Sequence, residues 1–282
     1  MKVLLTNDDG IQAAGLHAMR RALLAIPSVQ LAVIAPDSNR SASARSITTR
    51  SPLWVEEIEL SDGTTGYATD GTPVDCVRFA ALGLIEFAPE LIVSGINHGA
   101  NLGDDITYSG TVAAALEGVV LGIPAVAVSQ QSKKREMDFR FGREFDFGAA
   151  AAFTANLVAG LAERPIAAGT LLNVNCPALE DGEPRGAEIT RLGKRIYRDR
   201  LELAEEDESG SGRRRRYRIY GDDPSYHHEE GTDFAAIQAG KISVTPLHFN
   251  LTDVDQLEEL RGWDLSALLP RPTRQALARG QS

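Results

Sequence analysis

The chain has 282 residues, 43% hydrophobic and 24% charged, which suits one large domain with an appendage and requires no second independent core. Its formal net charge of -10 argues against a nucleic-acid polymer as main partner, because nothing basic dominates to neutralise phosphates; a small anion held by a metal stays compatible. No stretch approaches membrane-spanning length, and the apolar run at Val3-Leu4-Leu5 is too short for a signal peptide, so a cytoplasmic location is expected.

In chain order, Val3 to Thr6 reads as a buried strand that runs directly into Asn7-Asp8-Asp9-Gly10. Adjacent carboxylates at a strand end either raise a pKa or call for a cation, although Asn, Asp and Gly are also ordinary turn formers. Leu16, Met19 and Leu23 recur at helical spacing, with Arg20 and Arg21 expected to face outward. Leu31 to Ala35 predicts a second strand, followed by Ala35-Pro36-Asp37-Ser38-Asn39-Arg40-Ser41. Thr72-Pro73-Val74-Asp75 has a hydroxyl cap, a proline and a first-turn acid, which predicts a helix continuing through Leu84. Leu91 to Ser94 and Ala125 to Ser129 predict two further strands, with helices over Ser109 to Leu121 and about Phe147 to Leu161. This alternation is a doubly wound α/β pattern with a mostly parallel sheet.

After Leu172-Asn173-Val174-Asn175-Cys176-Pro177 the texture changes. Ile189 to Tyr197 and Tyr217 to Tyr220 read as strands of a projecting hairpin, separated by the acidic and then Gly/Ser-rich stretch Glu202 to Gly212. The Arg213 to Arg216 run beside it reads as part of a solvated, partly self-neutralising loop, with polyanion binding as the other reading. Ile242 to Leu247 predicts a returning strand. Leu257 and Leu260, then Leu265 and Leu268 past a break at Gly262, predict short helical turns before a frayed tail from Arg274. Cys76 and Cys176 lie far apart in apolar surroundings and read as reduced packing residues, a catalytic thiol being the alternative.

In a parallel sheet the loops after the first three strands lie side by side, so Asp8, Asp9, Ser41 and Asn97 can converge on one crevice. All four offer oxygen, a donor set suited to Mg²⁺ or Mn²⁺. Ser109-Gly110-Thr111 opens a helix rich in small residues, whose free N–H groups and the Ser109 and Thr111 hydroxyls make a phosphate seat; a plain Ser109 cap is the simpler reading. Of the five histidines, His98 is the one placed near such a metal.

Asn7-Asp8-Asp9-Gly10, Ala35-Pro36-Asp37 with Asn39-Arg40-Ser41, Gly71-Thr72-Pro73, Ser94-Gly95-Ile96-Asn97, Asn101-Leu102-Gly103-Asp104-Asp105 and Tyr108-Ser109-Gly110-Thr111 together resemble the SurE family of nucleoside monophosphate phosphatases. The likeness is dense to about residue 130 and resumes at Asn173-Val174-Asn175, Gly231-Thr232-Asp233-Phe234 and Ser243-Val244-Thr245-Pro246-Leu247. The resemblance implies that Asp8, Asp9, Ser41 and Asn97 bind one divalent metal ion and that Asn101 and Ser109 line the phosphate site; Asp8, Asp9, Asn101 and Ser109 are the expected catalytic residues, and Gly110 and Thr111, at the helix start, are expected to bind substrate with them. It also implies a Rossmann-like core over residues 1–282, with 185–230 as a projecting C-terminal β-hairpin and 254–282 as a C-terminal helical segment and tail. Homodimers or homotetramers built by segment exchange would follow. Where the family usually has proline, this chain has Ala14, and its hairpin follows the family pattern poorly. The reaction expected is hydrolysis of 5'- and 3'-nucleoside monophosphates by a metal-activated water, against a covalent aspartyl-phosphate route and a module that senses nucleotides without cleaving them.

Overall fold

The computed structural model describes residues 1–132, 145–167, 169–179, 183–207, 213–221 and 225–269. The tail from Arg274 and the Gly/Ser-rich stretch 208–212 lie outside the described residues. The chain forms two compact units, Met1–Phe249 and Asn250–Ser282.

In the first unit, β1 (Lys2–Thr6), α1 (Ala14–Leu24) and β2 (Gln30–Pro36) are followed by β3 (Val55–Glu59), β4 (Thr65–Thr69), α2 (Pro73–Ala81) and β5 (Leu91–His98). Next come α3 (Gly110–Val120), β6 (Ala125–Gln130), α4 (Gly148–Glu163), β7 (Thr170–Cys176) and β8 (Ala187–Ile189). The remainder holds β9 (Arg195–Ile196), β10 (Asp199–Asp207), β11 (Arg214–Gly221), β12 (Ser225–Tyr226), α5 (Asp233–Gln238) and β13 (Ile242–His248). Nine strands form one sheet in the order β3-β4-β2-β1-β5-β6-β7-β13-β8. β4, β2, β1, β5, β6 and β7 run parallel, while β3 and the returning β13 are antiparallel to their neighbours β4 and β7.

The central strand shows why the sheet is covered on both faces. Val3, Leu4 and Leu5 are all fully buried, so their side chains, which alternate across the strand, need apolar partners on either side. Val3 and Leu5 pack with Leu16, Met19 and Leu23 of α1 and Ala150 and Val158 of α4; Leu4 packs with Cys76 and Val77 of α2 and Val112 and Ala115 of α3. Each such side chain removed from water stabilises the fold by roughly 1.5–3 kcal/mol. Both cysteines are buried free thiols, and burial pushes both pKa values up. At α2 the Thr72 hydroxyl accepts from Asp75 N–H and the Asp75 carboxylate accepts from Thr72 N–H, a reciprocal cap with Pro73 at the first helical position.

Local structure departs from the sequence pattern at four places. Arg20 does not face outward: it is buried and pairs with Asp62 and the Thr64 hydroxyl, which ties α1 to the β3–β4 turn. The β3–β4 hairpin escapes sequence reading because Val-Glu-Glu-Ile-Glu, at the sheet edge, carries charge where central strands carry apolar side chains. The acidic stretch is not a separator: Glu202 to Asp207 lie in β10 and pair antiparallel with the arginine run in β11, Glu205 opposite Arg216 and Glu206 opposite Arg215. Glu206 pairs with Arg213 and Arg215, and Glu205 with Arg216, so opposite charges face each other across the ribbon. Ile189 to Tyr197 divides into β8 and β9, interrupted at Gly193, where a Cβ would come within 2.6 Å of the Phe234 ring.

In the second unit Asp253 caps α6 (Val254–Leu260) and Asp264 caps a short 3₁₀ turn over Leu265–Leu268, on either side of Gly262. Among the described residues no helix is long and apolar enough to cross a membrane.

Candidate active site

β1 has β2 on one side and β5 on the other, so the chain leaves it in opposite directions and opens a crevice at the carboxyl ends of the strands. Asn7 to Gly10 fill that end. Asn7 closes the turn by donating to the Gly10 carbonyl at 3.0 Å and accepting from the Gly10 N–H at 3.2 Å. Gly10 has φ +103°, and a Cβ there would lie 3.2 Å from the Ser38 backbone, so glycine lets the loop after β2 come down onto the turn.

Asp8 is buried beneath the N-terminus of α3. A Cβ at Gly110 would stand 2.7 Å from the Asp8 Cβ, and Thr111 donates both its hydroxyl and its backbone N–H to the Asp8 carboxylate. Burial, then the neighbouring Asp9 charge, pushes the Asp8 pKa up to about 6, against the lowering effect of the Thr111 contacts. The Thr111 hydroxyl is therefore turned to Asp8 instead of into the helix mouth as a phosphate donor: a buried carboxylate recruits the nearest proton donors. Ser109 caps the helix, its oxygen accepting from Val112 N–H at 3.1 Å, which leaves its own proton to donate.

Asp9 is where the loops meet. Asn39 donates to its carboxylate at 3.2 Å and accepts from the Ser41 N–H at 2.8 Å, joining Asp9 to Ser41 through one side chain. The His98 backbone N–H donates to the other Asp9 oxygen at 3.0 Å, which brings Asn97, the preceding residue, to the same place. The Asn97 amide nitrogen is committed to the Gly99 carbonyl at 2.7 Å, so its oxygen is the end available as a ligand. The His98 ring stacks on Phe145 and Phe147; its Nε2 accepts from Gly15 N–H at 3.4 Å, and its Nδ1 lies 3.9 Å from Asp9.

Asn101 is fixed by two asparagines of β7, whose part in the site no local motif announces. Asn175 accepts from the Asn101 N–H at 2.8 Å and donates to its carbonyl at 3.0 Å; Asn173 donates to the same carbonyl, and the Asn101 side chain donates to the Ser129 hydroxyl. Asn173 and Asn175 alternate on one face of an otherwise apolar β7, and two buried amides at that spacing are the signal that could have exposed them. Further along the loop, buried Asp233 accepts from Gly103 N–H at 2.7 Å and Gly193 N–H at 2.9 Å, and Arg195 pairs with Asp105.

Among the described residues no group of three or more His, Cys, Asp or Glu could hold a metal ion. The acid pair with neutral hydroxyl and amide oxygens is a different donor set, and it fits a hard divalent cation: two nearly buried carboxylates, one with its pKa pushed up to about 6 by burial and then by the other's charge, are what such an ion would relieve.

The profile of the family described as Survival protein SurE matches residues 3–199. A protein named 5'-nucleotidase SurE from Rubrobacter xylanophilus is 52% identical over 96% of this chain and 100% of its own length, and its namesake from Chloroflexus aggregans is 47% identical over 94% and 99%. The crystal structure of SurE protein from Aquifex aeolicus superposes with a TM-score of 0.73 at 36% identity, covering 93% of this chain and 98% of that one.

Proposed function

This chain belongs to the SurE family, and from that premise we propose that it is a divalent-cation-dependent phosphatase acting on nucleoside 5'-monophosphates, and on 3'-monophosphates as well. The observation that carries the reading is the Asp8–Asp9 pair, buried at the end of β1 directly against the N-terminus of α3. Asp8, Asp9, Ser41 and Asn97 would hold one Mg²⁺ or Mn²⁺, which when bound neutralises phosphoryl oxygens and acidifies water. Ser109 donates its hydroxyl proton and Gly110 its N–H to the phosphoryl group, while Asn101, locked by Asn173 and Asn175, orients it. Water attacks phosphorus, the ester P–O bond breaks, and nucleoside and phosphate leave. Adjacent carboxylates that share one buried site favour this route over a covalent aspartyl-phosphate.

The β10–β11 ribbon supports self-association. Leu201 faces Ile219 and Leu203 faces Tyr217, and Leu201 and Ile219 are 67% and 68% exposed. A two-stranded ribbon with an open apolar face is not stable alone in water, so a second copy of the chain covers it, in a homodimer or homotetramer built by exchanging such segments. A cytoplasmic location fits two reduced, buried thiols.

The test is phosphate release from a panel of 5'- and 3'-monophosphates with Mn²⁺, Mg²⁺ or EDTA, for wild type and Asp9→Ala. Metal-dependent release that Asp9→Ala abolishes, with an unchanged circular dichroism spectrum, supports the reading. Binding of the monophosphates without release would make the protein a nucleotide sensor, and a trapped phospho-aspartate would replace the water mechanism.

A further inference from the structure

Residues 37–54, between β2 and β3, carry Ser41 without any helix or strand. Something other than a backbone ladder must therefore hold Ser41 in place. Its near side is fixed at the site itself: Arg40 N–H donates to the Asp8 carbonyl at 2.7 Å, and Asn39 joins Ser41 to Asp9. Beyond Ser41 the backbone is strained, with Ala42 at φ +58° and Ala44 at φ +50°, a region that residues with a Cβ occupy only when their surroundings compel it. The far end of this strained link is Arg45.

Arg45 reaches Glu117, which is 1% exposed and lies about two turns along α3 from the Gly110 end that covers Asp8. The Arg45 Nη2 donates to Glu117 Oε2 at 2.7 Å, and its guanidinium lies 4.4 Å above the Phe249 ring. Arg78 of α2 stands 2.8 Å from the other oxygen, Oε1, so the buried carboxylate is neutralised from two sides. One helix thus does two things: its first residue presses on Asp8, and its Glu117 holds the loop that carries Ser41.

We propose that Glu117, acting through Arg45, is a positioning residue that holds Ser41 against the Asp8–Asp9 pair, so that the strength of divalent-cation binding depends on an ion pair remote from the ligands. The inference rests on the metal reading above. Arg45→Ala cuts the tie between the loop and α3 and leaves α3 in place, while Thr72 still donates to the Ser46 carbonyl and Asp75 still accepts from Thr48; Arg78→Ala removes the other partner of the same carboxylate without touching the loop.

Calorimetric titration of the substrate-free protein with Mn²⁺ separates these cases, together with hydrogen exchange of peptides from residues 37–50. Arg45→Ala should bind Mn²⁺ tenfold or more weakly and exchange faster across residues 40–46, while Arg78→Ala stays within twofold of wild type. Glu117→Gln should match Arg45→Ala, and Arg45→Lys should recover part of the loss. Wild-type affinity in a folded Arg45→Ala protein overturns the clasp alone, and equal losses in Arg45→Ala and Arg78→Ala overturn it in favour of general destabilisation of α3. Absence of Mn²⁺ binding by wild type overturns the metal reading and this proposal with it.

Discussion

Thr111 donates its hydroxyl to the Asp8 carboxylate across 103 residues of sequence, and with that bond the first turn of α3 becomes part of the wall against the acid pair. The bond favours the charged form of Asp8, yet burial and Asp9 outweigh it and leave the pKa at about 6. A carboxylate whose folded pKa lies above its unfolded value adds stability that is complete below the unfolded value and is lost as pH rises through the folded one. The displacement from 3.8 to about 6 corresponds to roughly 3 kcal/mol. Metal-free wild type should therefore lose stability between pH 4 and pH 7 at this group. Asp8→Asn, neutral at every pH, should in EDTA at pH 7.5 be more stable by about 1–3 kcal/mol while losing activity. Denaturant titrations at pH 4.5 and 7.5 check this; an Asp8→Asn protein no more stable than wild type at pH 7.5 refutes the buried-anion account.

Gly110→Ala isolates the contact between helix and acid. Alanine is worth up to about 1 kcal/mol over glycine in a helix, so propensity alone favours the change. The added Cβ would stand 2.7 Å from the Asp8 Cβ and 2.9 Å from its Oδ2, and one of the two elements must move. Turnover should fall at least a hundredfold while the far-ultraviolet spectrum is unchanged. Activity close to wild type would mean that Asp8 needs no contact with the helix mouth.

Asn175→Ala tests how Asn101 is held. The substitution removes the acceptor at 2.8 Å from the Asn101 N–H and one of the two donors to its carbonyl, leaving a buried N–H whose desolvation costs about 1–3 kcal/mol while Asn173 still serves the carbonyl. Stability should drop by that amount and kcat/KM for AMP by tenfold or more. Asn175→Asp, which keeps the acceptor but places a charge against the Asn101 carbonyl, should be worse on both counts. A full-rate Asn175→Ala enzyme would show that Asn101 needs no hold from Asn175, with Asn173 and Ser129 sufficient to place it.

What the sequence made legible was local. The strand ends after β1, β2 and β5, the α2 cap and the break at Gly262 each announce themselves within a few residues, because turn and cap chemistry is set by near neighbours. The clustering of Asp8 and Asp9 with the Ser41 and Asn97 loops could be read because a parallel sheet brings successive strand ends together. The partners of these residues could not be read. Nothing in Thr111 says that its hydroxyl serves Asp8, nothing in Asn175 points to Asn101, and Arg20 on an apparently outer face finds Asp62 only after β3 and β4 fold back. The Glu205 and Glu206 stretch carries no strand pattern, because alternating apolar positions are sparse there; cross-strand arginines supply what binary pattern does not.

Ile219→Glu puts a charge in the open apolar face of the β10–β11 ribbon, opposite Leu201. If a second copy covers that face, the charge must be buried or the interface must open, and sedimentation should show a shift toward monomer at micromolar concentration. Arg216→Gln removes an exposed charge across from Glu205 without placing like charges opposite each other or adding a charge to the apolar face, and should leave the assembly intact. An unchanged oligomer in Ile219→Glu would place the interface elsewhere.

Ala14 offers a stabilising change at the edge of the site. It is the first helical residue of α1, where a missing N–H costs nothing to the helical ladder and where proline's fixed φ suits the turn. The preceding Ala13 has φ -66° and ψ 135°, the extended conformation that a residue before proline adopts, and Ala14 itself is exposed, so the ring meets no obstacle from burial. Ala14→Pro should stabilise the protein by about 0.4–1 kcal/mol, chiefly by restricting the unfolded chain. For a chain of this size that is an increase in Tm of about 1–2 °C. Gly15, the next residue, donates its N–H to His98, whose own N–H holds Asp9, so a stiffer turn should leave kcat unchanged or raise it. A lower Tm for Ala14→Pro would show that the entry to α1 is more crowded than its backbone angles indicate.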